Sequence, residues 1–154
     1  MTGHFVLSTL HTNTAVGAVS RLVDMGIERF LLAPMLAGVV AQRLVRRLCP
    51  DCARLEAATE ADAALLPGLQ PGAALCRSAG CPACGGHGYR GRTGIYEVVE
   101  IGGPLQAAIH AGAAEADLTA LARDAGPGLV ADGLRLVLAG VTTVEEVARA
   151  VQEA

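Results

Sequence analysis

"GCPACGGHGYRGRTGIYE", residues 80–97, sets two cysteines two residues apart, follows them with glycines, and continues into a basic, hydroxyl-bearing segment. Such parts serve a redox dithiol, half of a metal site, or a glycine-rich phosphate cradle. A second Cys-x-x-Cys, "CPDC" at 49–52, lies upstream, with 28 residues between Cys52 and Cys81. Each x-x loop puts two thiolates on one side of a tight turn, and two facing turns make a tetrahedral four-sulfur site. Pro50 and Pro82 follow the first cysteine of each pair, and Gly85 and Gly86 free the backbone after the second pair. Cys49, Cys52, Cys81 and Cys84 are therefore expected to hold a structural Zn2+, with a redox pair, another metal or an empty site as alternatives. Neither pair has the strand-then-helix context of a redox motif. A closed four-sulfur site leaves no position for substrate. Cys76 falls outside this spacing and is expected to be a free buried thiol, with a role as a substitute ligand as the alternative.

The surrounding chain has 154 residues and room for one modest domain, or a small domain with the edge of another. Its composition is 52% hydrophobic but only 3% aromatic, so a core would be built from Leu, Val, Ile and Ala. A net charge of -3 argues against non-specific nucleic-acid binding, which needs a positive field. The longest apolar run, "FLLAPMLAGVVA" at 30–41, is well short of the roughly 20 residues of a transmembrane helix. No signal-peptide pattern is visible at the start. The chain reads as soluble and cytoplasmic, reaching a membrane only through partners.

Residues 5–10, "FVLSTL", read as a strand. Thr12 or Asn13 is placed to cap a following helix with Val16, Val19, Leu22 and Val23 on one face and Gly26 at its end. Strand, polar loop and helix in this order suggest an α/β element. Residues 28–47 read as helix, interrupted near Pro34, with Leu36, Val39, Val40 and Leu44 as its apolar face. Arg43, Arg46 and Arg47 would then sit at a helix C-terminus and favour its dipole. A short helix is expected over 56–66, a turn over 67–72 and a strand over 94–101. Four helices follow, at 104–111, 115–124, 129–139 and 143–152, the last with Thr142 or Thr143 as cap and Glu145 or Glu146 completing a capping box.

His11 stands where the expected strand gives way to a loop, the edge at which open α/β sheets bind ligands. With Thr9, Thr12 and Asn13 it offers donors suited to a phosphate, although a loop or capping role accounts for the same residues. Arg90 and Arg92, among glycines, fit either a phosphate contact or a solvated turn. The sequence holds no G-x-x-x-x-G-K-[ST] and no lysine at all, so it is not an independent P-loop nucleotidase.

"TGHFVLSTLHTNTAVGAVSRLVDMGIERFLLA", "GVVAQRLVRRLCPDC" and "GCPACGGHGYRGRTGIYEVVEI" together resemble the C-terminal part of the motor ATPases of type II secretion and type IV pilus assembly, most closely the general secretory pathway E protein family. The resemblance is colinear over nearly the whole chain. It implies the edge of a RecA-like α/β core over 1–47, a tetracysteine zinc-binding subdomain over 48–92, and a return strand with a terminal helical region over 93–154. It further implies a cytoplasmic hexamer, peripheral at the inner membrane, that hydrolyses ATP with Mg2+ and drives pseudopilus or pilus assembly through inner-membrane platform proteins. "STLHTN" matches the family's histidine box, which places His11 near the nucleotide γ-phosphate. The family's Walker A, aspartate-box and Walker B segments and its arginine fingers precede that box, and "GPGLV" at 126–130 stands where the family usually has "GMRSL"-like residues. The expectation is therefore a C-terminal fragment of a secretion ATPase that binds ATP poorly and is inactive alone. The alternative is a free-standing zinc-stabilised module that associates with a full-length motor.

Overall fold

Residues 38–48 form a strand where helical spacing predicts a helix. The structure, a computed structural model, describes residues 3–12 and 14–152. In chain order the elements are α1 (Gly17–Asp24), α2 (Arg29–Met35), β1 (Gly38–Leu48), β2 (Ala53–Ala57), α3 (Glu60–Leu65), β3 (Ala74–Ser78), β4 (Tyr89–Glu100), α4 (Gly103–Ala111), α5 (Glu115–Ala125), α6 (Leu129–Leu138) and α7 (Val144–Gln152). The fold is mixed α/β. β1 pairs with β4, and β2 with β3. No described helix is long and apolar enough to cross a membrane.

Two compact units emerge. The first takes residues up to Val39 together with Val99–Asp124. Its core joins Val16 before α1, Val19 of α1, Leu32 of α2, and Leu105, Ile109 and Leu118 of α4 and α5. The expected strand over 5–10 does not form: residues 4–12 have no regular secondary structure, and Phe5, Val6 and Leu7 are 79–85% exposed. Strand-forming residues need a hydrogen-bonding neighbour, and none pairs with them among the described residues. Leu22 and Val23 are half-buried, and the backbone beyond α1 turns at Gly26, with the Ile27 amide donating to the Leu22 carbonyl at 3.2 Å. The start of α1 takes a cap other than the expected one. The Thr14 hydroxyl accepts the Gly17 amide at 2.9 Å and donates to Glu115 Oε1 at 3.1 Å, while Thr12 Oγ1 donates to the Thr14 carbonyl. Asn13, the other expected cap, lies outside the described residues.

The second unit, Val40–Val98 with Ala125 onward, carries the metal-ligand candidates. In β1, Val39, Ala41 and Val45 are buried while Val40, Gln42 and Leu44 are exposed, a period of two. Apolar residues on both sides of the strand also satisfy helical spacing, so the local pattern fits both structures. β-branched Val39, Val40 and Val45 favour the strand, and β4, some fifty positions on, supplies its partner. Gln42 Nε2 donates to Tyr96 Oη at 3.2 Å and the Cys49 amide to the Gly88 carbonyl at 2.9 Å, so the two strands run antiparallel. β2 and β3 are antiparallel in the register Ala53↔Ser78 to Ala57↔Ala74. The expected helix over 56–66 is only its second half. Thr59 starts it with a reciprocal capping box to Asp62, and β2 occupies what precedes. The four C-terminal helices lie where the sequence places them, within a residue at either end.

Arg46 is a strand residue, and its partner is a carboxylate instead of a helix dipole. Glu146 of α7, 2% exposed, accepts from Arg46 Nη2 at 2.6 Å, from the Arg46 amide at 3.0 Å and from Arg149 Nη2 at 3.0 Å. The Arg46 guanidinium lies 4.1 Å over the Tyr89 ring, whose hydroxyl meets Thr143 Oγ1 at 3.0 Å. Thr142 Oγ1 donates to the Arg46 carbonyl at 2.8 Å. The expected box at α7 is thus half made: Thr143 Oγ1 takes the Glu146 amide at 3.4 Å, but the Glu146 carboxylate is turned to Arg46. Arg77 of β3 holds Asp62 at 2.6 Å and Glu145 at 3.0 Å.

Burial opposes ionisation of Glu146, but hydrogen bonds from Arg46 and Arg149 outweigh it and hold the carboxyl down at about 2. A carboxyl depressed in the folded state stabilises fully above its unfolded value, near 4.5, and loses that contribution as pH falls toward 2. Glu146→Gln is therefore expected to cost on the order of 2 kcal/mol at neutral pH. Denaturant titrations of both proteins across pH should show the gap closing below about pH 4.5. A gap that widens in acid contradicts the assignment.

Candidate metal centre

β1 delivers Cys49 at its end, and the chain turns at once: the amides of Cys52 and Ala53 donate to the Cys49 carbonyl at 3.3 and 3.0 Å. Pro50 and Asp51 occupy the turn. The second pair is built differently. Pro82–Cys84 is a single 3-10 turn opened by Cys81 and closed by Gly85, and the Gly86 amide returns to the Cys81 carbonyl at 2.9 Å. The loop closes so tightly that a Cβ on Gly80 would collide with the Gly86 carbonyl oxygen, and Gly80 has φ +83. Gly88, at φ +78, would meet Ser78 in the same way. These glycines serve the turn and the close approach of two backbones.

The two turns bring four sulfurs together. The Sγ atoms of Cys49, Cys52, Cys81 and Cys84 all lie within 4.8 Å of one another. Cys49 and Cys81 are 3.9 Å apart, Cys52 and Cys84 3.9 Å, and Cys81 and Cys84 3.7 Å. A tetrahedral ion with metal–sulfur bonds of about 2.3 Å requires sulfur–sulfur edges of about 3.8 Å. The donor set and its spacing fit a structural Zn2+. Cys49 and Cys84 are buried, Cys52 and Cys81 half-buried.

Electrostatics favour a cation at the same place. Burial pushes the Cys52 thiol up to about 12, with the neighbouring sulfurs adding to the shift. Burial also opposes ionisation of Cys84, but the amides of Cys81 and Gly88, donating to its Sγ at 3.2 and 3.1 Å, outweigh it and pull the thiol to about 6. The protein's own dipoles thus stabilise one thiolate. Four at once require a divalent cation between them. Cys76 stands apart on β3, opposite Leu55 and against Gly140, and is half-buried where the sequence suggests full burial.

The described phosphate-binding candidates lie in one irregular segment. Thr9 and His11 are exposed, Thr12 is half-buried, and all three lie in the irregular 4–12 segment of the first unit; Asn13 lies outside the described residues. The sequence has no lysine. The Arg46–Glu146 pair is not legible in the sequence. Its only signal is a glutamate one helical turn into α7, which a capping box explains equally well.

Metal analysis of chain purified under reducing conditions without chelator is expected to give about one zinc per chain. Cys81→Ser should lose the ion at a cost of about 3 kcal/mol or more, while Cys76→Ser stays within about 1 kcal/mol. Equal losses in thermal melts would place the ligands elsewhere.

Residues 1–149 match the family described as Type II/IV secretion system protein. Type II secretion system protein E of Pseudomonas aeruginosa is 56% identical over 155 aligned positions, which cover 99% of this chain and 31% of that protein. Type II secretion system ATPase E of Vibrio cholerae is 49% identical, over 99% of this chain and 31% of its own length. The protein HxcR of the type II secretion system of P. aeruginosa is 48% identical, over 100% and 30%. The chain thus spans a little under a third of the length of these curated relatives. With a matched region that takes in all four clustered cysteines, the chain belongs to the Type II/IV secretion system protein family.

Proposed function

We propose that this chain is the zinc-stabilised C-terminal portion of a motor ATPase of type II secretion, without catalytic activity of its own. The observation that carries the reading is the four-sulfur cluster, set in a chain that matches the secretion family over residues 1–149. In the whole protein, ATP hydrolysis with Mg2+ would drive pseudopilus assembly from a cytoplasmic hexamer, peripheral at the inner membrane and coupled to platform proteins there. The names of the relatives, a secretion system ATPase among them, support this.

In this reading residues 1–47 complete the edge of a RecA-like core, 48–92 form the zinc subdomain, and 93–154 bring the chain back and end it in helices. His11, with Thr9, Thr12 and Asn13, meets nucleotide only when the upstream core is present. The unpaired, apolar Phe5–Leu7 supports that assignment, since it is a strand sequence without a sheet. Cys49, Cys52, Cys81 and Cys84 ligate the ion and take no part in hydrolysis, because phosphoryl transfer needs a phosphate cradle and a magnesium ligand together.

ATP turnover by the purified chain is expected to stay at the buffer background. Co-expression with the part of the P. aeruginosa relative that this chain does not match should restore turnover, and His11→Ala should then remove it. Turnover by the chain alone that disappears with His11→Ala would overturn the proposal.

A further inference from the structure

An open cleft of about 460 Å³ lies in the second unit, beside the first cysteine turn. Leu48, Pro50, Ala53 and Val141 line it, and Arg47 and Arg90 flank it. The two arginines stand on facing strands: Arg47 is two residues before Cys49 in β1, Arg90 is two residues after Gly88 in β4, and Cys49 and Gly88 are hydrogen-bonded at 2.9 Å. Both are exposed.

Like charges on facing strands are destabilising, and no carboxylate among the described residues pairs with these two. Arg46, Arg77 and Arg135 each hold a carboxylate. The guanidinium groups of Arg47 and Arg90 have no hydrogen bond or ion pair among the described residues. Asp51, the nearest acidic residue in the turn, does not line the cleft and lies 3.9 Å from Cys49 Sγ. Two guanidinium groups beside an apolar floor suit a ligand that is anionic at one point and apolar beside it.

We propose that this cleft binds an acidic segment of a partner protein, a carboxylate taken by Arg47 and Arg90 with a flanking aliphatic side chain laid on Leu48, Pro50 and Val141. Guanidinium forks match carboxylates in a bidentate geometry, and a concave apolar floor with few polar groups is the form of a peptide or ligand site. A membrane surface is read instead by larger basic clusters, and this chain carries a net charge of -3. The site is built from residues of the second unit alone.

The test uses the zinc-loaded full chain and a short fluorescent peptide alternating leucine and glutamate, read by anisotropy. Saturable binding is expected, weakened about tenfold when glutamine replaces glutamate in the peptide and by a similar factor in the Arg47→Gln, Arg90→Gln variant. Zinc content and melting temperature of that variant should match those of the parent chain. Absence of peptide binding, equal binding of the glutamine peptide, or affinity unchanged in the variant overturns the proposal. So does arginine-dependent binding to phosphatidylglycerol vesicles or to inorganic phosphate in preference to the peptide.

Discussion

Four sulfurs at tetrahedral spacing are what hold residues 49–88 in place. This stretch leaves β1 at Cys49 and rejoins its partner strand at Gly88, and between those points it buries few large side chains: chiefly Leu66, Leu69 and Leu75. So small a core, even with Arg77 tied to Glu145 of α7, leaves much of the loop closure to the cysteine turns. The cysteine turns close it at its neck, beside the hydrogen bond that starts the β1–β4 ladder. Four thiolates at this spacing need a cation between them, so folding of the excursion is expected to be coupled to metal binding.

The second tie is electrostatic. α7 is held on β1 by one buried carboxylate that accepts both the guanidinium and the backbone amide of Arg46. A buried ion pair is a poor source of net stability but a strong constraint on register, because any slip leaves a charge unpaired. Tyr89 couples this pair to the metal side of the unit: its ring lies under Arg46 and it follows Gly88, whose amide reaches Cys84 Sγ. The metal centre and the helical end thus share a short run of β4.

Legibility in the sequence depends on the range of each interaction. The cysteine spacing is local and chemically restrictive, so the ligand set is legible before any fold. The C-terminal helices are legible too, since glycines punctuate them and their caps are close in sequence. Segments that need a distant partner are not. β1 carries apolar residues at both helical and strand spacing, and only pairing with β4 decides between them. Residues 5–10 have strand chemistry but no neighbour among the described residues, so the same chemistry leaves them irregular. Arg46 and Glu146 are 100 positions apart, and each has a sufficient local explanation, a helix dipole for one and a capping box for the other.

A closed site in which sulfur alone surrounds the ion is the central claim. X-ray absorption at the zinc edge on the metal-loaded chain tests it directly. Four sulfur scatterers at about 2.3 Å, with no nitrogen or oxygen in the first coordination sphere, is the expected result. A mixed shell, in which His87 or Asp51 replaces one of the four cysteines, would contradict it.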